Sequence, residues 1–149
     1  MIGFLNGQQI DFLLRSELVG RLGCHAQGTT YIVPVFYHYD GESIYGYTKE
    51  GLKTRIARES SSVCFQVDRI ENLANWQSVI IQGEFQVLKG SEIEPVIQLL
   101  TNRMMPFKTG ESSLPKFGMD KLPSLTKPFT QFITYRIQIH EKYGRFEKD

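Results

Sequence analysis

Between residues 22 and 48, three short runs rich in aromatic and β-branched residues (22–26, 30–39 and 43–48) are cut by Gln27-Gly28 and by Asp40-Gly41-Glu42. Gly and Asp tolerate the positive φ that tight reversals need, so the punctuation has a mechanism and the segment reads as an antiparallel meander. In the third run Ile44, Tyr45 and Tyr47 do not alternate cleanly with polar residues, which implies cover on both faces of that strand.

Further strands are expected over 62–68, where Val63, Phe65 and Val67 alternate with Cys64 and Gln66, and over 78–88, where Gly83 marks a bulge or a barrel corner. A last strand is expected over 131–140, with Ile133, Tyr135, Ile137 and Ile139 on one side. Helical texture covers 6–20, capped by Asn6 with Ile10, Leu13, Leu14 and Leu18 inward, and 50–60, with Leu52 and Ile56 inward. A third helix over 91–104 is opened by Ser91-x-x-Glu94, a capping box that places Pro95 in the first turn. Residues 106–130 carry Pro106, Pro115, Pro123 and Pro128 and no periodicity, but also Phe107, Leu114, Phe117 and Phe129. Structureless stretches beyond about 12–15 residues are uncommon in compact domains, so this one is expected to pack over a site or a neighbouring subunit. Six strands with two or three helices imply one mainly β domain over 1–149, an antiparallel β-barrel with peripheral helices, in which closure removes exposed strand edges.

Seventeen basic against sixteen acidic side chains leave a formal charge of +1, which gives no electrostatic case for nucleic acid or an acidic membrane surface. No apolar run approaches the roughly 20 residues that span a bilayer, and residues 1–6 have no signal-peptide pattern, so a soluble cytoplasmic protein is expected. Cys24 and Cys64 sit in apolar strand-like runs and read as reduced core residues, with a disulfide or metal site as the alternative. His25, His38 and His140 are dispersed, so no metal site is expected. No carboxylate pair or nucleophile elbow is recognisable, and no catalytic residue is assigned.

One segment carries chemistry. In Tyr45-Gly46-Tyr47-Thr48-Lys49-Glu50-Gly51-Leu52-Lys53 a strand ends in a hydroxyl residue, passes a short Gly-containing loop and enters a helix bearing Lys53. Exposed N–H groups at a helix start attract anions, Gly51 permits close backbone approach, Lys53 supplies charge and Thr48 a donor: the requirements of a terminal phosphate. The same residues also suit an ordinary strand–helix turn with a solvated lysine.

The order of these features, from 22–26 through Tyr31-Ile32-Val33-Pro34-Val35-Phe36-Tyr37 and the Tyr47-Thr48 strand end to Trp76-Gln77-Ser78-Val79 with Gly83 following, resembles the pyridoxamine 5′-phosphate oxidase-like family. It is most similar to that family's flavin-nucleotide-binding, nitroimidazole-reductase-like branch. The resemblance covers roughly residues 12–90 and, more faintly, the closing stretch with Gly144-Arg145-Phe146. It implies a split β-barrel homodimer with FMN at the subunit interface. Carried over by position, Ile32, Val33, Pro34, Val35 and Phe36 run beside the flavin ring and ribityl chain, with Val33 and Val35 as apolar contacts. Tyr47 and Thr48 contact the flavin or its phosphate tail, Lys53 pairs with the phosphate, and Trp76 and Ser78 lie near the cofactor, Ser78 from either chain. Pro34, having no N–H, fits a ladder only at an edge or bulge. The resemblance thus implies an FMN-dependent oxidoreductase of unspecified substrate, or else a non-catalytic flavin carrier or sensor. Leu52 stands where the oxidase proper has Arg, and Tyr47 where the nitroimidazole-reductase-like members have His, which counts against those two particular activities.

Overall fold

The computed structural model describes residues 1–107 and 132–149. The segment expected to pack over a site, 106–130, lies almost wholly outside the described residues.

The two reversals seen in the sequence are the hairpins that start the sheet. Strand β2 (Val19–Ala26) turns back into β3 (Thr29–Phe36) through Gln27 and Gly28, both at positive φ (51° and 79°). The chain then leaves the ladder at Tyr37, so the single strand expected over 30–39 is two: β4 (His38–Tyr39) follows and pairs with β5 (Ser43–Lys49). Tyr37 interrupts the pairing because its ring is fully buried and its hydroxyl donates to the Leu14 carbonyl at 2.7 Å.

Strands β6 (Ser62–Asn72) and β7 (Asn75–Val87) form a long hairpin, and β8 (Phe132–Glu147) runs well beyond the expected end at residue 140. Its last residues, Arg145–Glu147, also pair with β1 (Ile2–Phe4), a strand too short and too exposed to show periodicity. The register of β7 against β8 shifts at Gln82/Gly83, where a bulge was expected. The sheet order is β3-β2-β6-β7-β8-β5-β4, all antiparallel, with β1 on β8. The path does not close: β3 and β5 come into contact without a ladder between them. The molecule is therefore a split barrel, and closure does not remove the edges as expected; β3 lies at one end of the path, which is where Pro34 is tolerated.

Three α-helices among the described residues surround the sheet. In α1 (Gly7–Ser16) Asn6 Oδ1 accepts from the Gln9 N–H at 2.9 Å and Gln9 Oε1 from the Asn6 N–H at 2.8 Å, a reciprocal capping box. This helix is shorter than expected because Val19 and Gly20 belong to β2, where Gly20 accommodates the Phe65 ring. Ile10, Leu13 and Leu14 of α1, with Ile56 and Ala57 of α2 (Leu52–Glu59), join the core inside the barrel with Leu22, Phe65, Ile81 and Tyr135. Each fully buried leucine there contributes about 2 kcal/mol. Helix α3 (Ile93–Met104) builds a second core on the outside of β5 from Phe36, Tyr47, Leu88, Val96, Leu100 and Met104. The Ser91–Glu94 capping box does not form: Gly90 at φ 60° turns residues Gly90–Glu92 into a 3₁₀ turn, which places Glu92 rather than Ser91 at the helix cap. No helix among the described residues is long and apolar enough to cross a membrane.

Helix α1 is also pinned by a polar cluster. Asp11 Oδ1 accepts from the Tyr39 hydroxyl at 2.6 Å and from Lys142 Nζ at 3.0 Å, while Lys142 Nζ also donates to the Tyr39 oxygen at 2.8 Å. The Tyr39 hydrogen bond, helped by Lys142, holds the Asp11 carboxyl below its ordinary pKa. A carboxyl depressed in the folded state adds stability above its unfolded pKa and loses it as pH falls through the folded value. Asp11→Asn should therefore cost at most about 1 kcal/mol at neutral pH, since the pair is partly solvated, and the difference from wild type in urea midpoints should vanish in acid.

Candidate functional site

Alternation along the strands decides which residues can meet a ligand. Leu22, Phe65, Val67, Val79 and Ile81 point into the barrel, so Arg21, Gly23, Cys64, Gln66, Ser78 and Ile80 point out. The β5 half of the outer surface is covered by α3. Over β3, β2, β6 and β7 no described helix covers it, and a groove of about 390 Å³ runs there, lined among others by Gly23, Ile32, Cys64, Gln66, Ile80 and Gln82. Ile32 is 67% exposed at its wall. Cys24 and Cys64 are both free thiols; Cys24 is a core residue as expected, whereas Cys64 is half-buried on the outer face.

The expected site residues divide along this geometry. Ile32 and Pro34 face outward and are exposed. Val35, at 1% exposure, belongs to the core and the half-buried Val33 packs against it, so the apolar side chains that β3 presents on the outer face are those of Ile32 and Pro34. Phe36 and Tyr47 are buried under α3, where the Tyr47 ring stacks on Phe132 at 5.2 Å. Burial pushes the Tyr47 phenol up to about 12, so it stays protonated. Ser78 sits beside the groove, its Oγ accepting from Gln66 Nε2 at 3.1 Å. Trp76 lies apart, towards the β6–β7 hairpin tip, donating from Nε1 to Glu147 at 3.0 Å.

Thr48 and Lys53 flank the β5–α2 junction. Thr48 is wholly buried, and its hydroxyl is one of the few buried side-chain polar atoms with no partner among the described residues. Helix α2 starts at Gly51 with no side chain capping its first turn; the Gly51 N–H itself is taken by Thr54 Oγ1 at 2.8 Å. Lys53 is in that first turn. Burial lowers the pKa of its ammonium, with the nearby Cys24 sulfur as a small opposing influence. Cys24 Sγ lies 3.6 Å from the Lys53 carbonyl and also lines the groove, so junction and groove adjoin. Arg58, one of the other cations of α2, is paired with Glu50. A half-buried cation, an uncapped helix start and an orphaned hydroxyl together suit an anion with hydroxyl-accepting oxygens.

The groove-lining residues on β2, β6 and β7 were not singled out in the sequence. Their one signal was the 62–68 alternation, which set Cys64 and Gln66 on the face opposite Val63, Phe65 and Val67 but, with Cys64 read as a core residue, did not mark that face as a groove wall.

The sequence profile described as pyridoxamine 5′-phosphate oxidase matches residues 6–145. The uncharacterized Rhizobium meliloti (strain 1021) protein RA0666 is 28% identical over 74 residues, 50% of this chain and 49% of that protein, so the match spans about half the length of this relative. Among solved structures, an FAD-binding protein of Mesorhizobium loti superimposes with a TM-score of 0.75 at 22% identity, covering 99% of each chain. An FAD and heme binding protein of Mycobacterium smegmatis gives 0.74 at 15% identity, covering 97% of this chain and 72% of that one. At these identities the structural likeness is one of fold.

Proposed function

Since this chain belongs to the pyridoxamine 5′-phosphate oxidase family, we propose that it binds a flavin, FMN, and works as a flavin-dependent oxidoreductase. The observation that carries the reading is the Thr48 hydroxyl, buried without a partner beside an uncapped helix start that bears Lys53. A buried hydroxyl left unpaired costs about 1–3 kcal/mol, and a phosphate oxygen is an acceptor it can reach from a strand end. Lys53 and the α2 start hold the phosphate, Ile32 and Pro34 give the ring an apolar wall, and Ser78 with Gln66 offers polar contacts along the groove. A bound flavin would supply hydride-accepting redox chemistry that no side chain has; the protein's part is to bind, orient and shield it.

The outer face that no described helix covers suits a second copy of the chain, with the groove between the two. It carries Ile32 and Ile70, both about two-thirds exposed, which a second copy would remove from water. The proposed assembly is a homodimer, checked by light scattering.

The test is the visible spectrum of the purified protein and FMN titration of the flavin-free form. Flavin absorption, or uptake of FMN, is expected; a colourless protein that ignores added FMN overturns the reading. Anaerobic mixing with NADH or NADPH should bleach the colour, whereas persistent colour with both donors leaves a flavin carrier. Thr48→Val sharpens this. It should make the flavin-free protein as stable as wild type or more so, by about 1 kcal/mol, while weakening FMN about tenfold. A loss of stability with unchanged FMN affinity would return Thr48 to a purely structural role.

A further inference from the structure

Beside the groove, at the margin of the uncovered face where α1 leads into β2, a second hollow of about 450 Å³ is lined by Ser16, Glu17, Leu18, Val19, Arg21 and Asp68. Arg21 lines both the hollow and the groove. It stands across the ladder from Pro34 on one side and from Gln66 on the other, so its guanidinium lies in the same transverse row as residues assigned to the flavin wall.

Resting on the flavin reading, we propose that Arg21 is the substrate-recognition residue of this site. It takes the carboxylate or phosphate of a small anionic substrate whose apolar, reacting part lies in the adjoining groove.

Charge supports an anion here. Glu17 is engaged by Arg69 at 3.0 Å and Asp68 by Arg21 at 3.2 Å, while Arg103 donates to the Glu17 carbonyl. Both carboxylates that line the hollow are thus already paired with guanidinium groups, and neither is left to repel an anion. Arg69 is further tied to Ser16 Oγ at 2.7 Å, and Arg103 to the Arg15 carbonyl at 2.8 Å. Arg21, by contrast, has one polar contact among the described residues, through Nη1 to a single oxygen of Asp68, and nearly half of its side chain is open to water. A solvated, single-contact ion pair is readily exchanged. The planar fork of a guanidinium matches both oxygens of a carboxylate or two of a phosphate, which a point-charge lysine does not. Asp68 then acts as the stand-in that holds Arg21 in place until substrate displaces it.

Calorimetric titration with sodium benzoate, an apolar ring carrying a carboxylate, tests this on both the flavin-free and the FMN-loaded protein. Wild type should bind benzoate, Arg21→Ala about tenfold more weakly, and Arg21→Lys weakly as well because the fork is lost. Asp68→Asn, which frees Arg21, should bind about threefold more tightly, an effect a merely structural pair would not produce. Benzamide, the neutral analogue, should not distinguish the variants. Displacement of benzoate by inorganic phosphate extends the class to phosphate esters; no displacement restricts it to carboxylates. Equal benzoate binding by wild type and Arg21→Ala, or none by wild type, overturns the proposal. So does a parallel loss of FMN affinity in Arg21→Ala, which would make Arg21 a cofactor ligand. Arg21-dependent benzoate binding by a protein that never takes up FMN would instead sink the flavin reading alone.

Discussion

Lys53→Ala should weaken FMN binding about 30- to 100-fold while leaving riboflavin binding within about twofold, because hydrogen bonds to charged groups contribute about 1.5–3 kcal/mol and only FMN carries the phosphate. The asymmetry follows from where the lysine sits. Its ammonium is partly withdrawn from water, which is why its pKa lies below the ordinary lysine value. A phosphate at the α2 start restores the favourable environment that burial removes and raises that pKa. The sign for pH follows. Affinity for FMN is full while Lys53 is protonated, and it declines as pH rises through the lowered pKa of the flavin-free protein. Riboflavin affinity should not follow that curve, and Lys53→Ala should flatten the FMN curve. Flavin fluorescence quenching measures all four titrations. A loss shared equally by FMN and riboflavin would move Lys53 away from the phosphate and leave the cradle to Thr48 and the backbone.

How much of this was readable beforehand depends on whether the signal was local. Turns announced themselves: Gln27-Gly28 and Asp40-Gly41 form the hairpins their chemistry demands, and Asp40 Oδ1 accepts from the N–H groups of Glu42 and Ser43. The alternation of Val63, Phe65 and Val67 placed β6 correctly on both faces. The strand-to-helix unit that carries Thr48 and Lys53 was likewise local, a matter of nine consecutive residues. What periodicity missed was pairing that depends on distant partners. Strand β1 exists because Gly3 leaves room for the Phe146 ring, 143 residues away, and residues 141–147 continue β8 because β1 and β7 flank them. Facing was the other blind spot. Val33 and Val35 look like ideal ring contacts, yet a one-residue parity turns them to the core side and leaves the outer face to Ile32 and Pro34. Arg21 gave no signal at all in its own neighbourhood. Its place beside both hollows arises only when β2 is laid between β3 and β6.

Gly46→Ala should destabilise the protein by about 3 kcal/mol, lowering its melting temperature by about 10 °C, although the substitution adds a single methyl group. Gly46 has ordinary strand backbone, so the cost is steric. A Cβ there would lie 2.2 Å from Cζ and from the hydroxyl oxygen of Tyr135, its cross-strand partner on β8. That ring cannot retreat: it is fully buried and stacks on Phe85 at 4.9 Å. Its hydroxyl, like that of Thr48 two residues further along β5, has no partner among the described residues, so moving it gains nothing in compensation. The remaining relief is for β5 and β8 to part, and β5 is the strand that delivers Thr48 to the α2 start. Loss of stability and loss of FMN affinity should therefore appear together in Gly46→Ala, the second measured well below the melting temperature so that only folded protein is titrated. Tyr135→Leu supplies the control. By itself it leaves a cavity and costs stability, but it removes the ring that the new methyl group meets. Gly46→Ala added to Tyr135→Leu should cost almost nothing further, a departure from additivity of about 3 kcal/mol. Simple addition of the two losses in thermal melts would mean that the ring is not what keeps residue 46 a glycine.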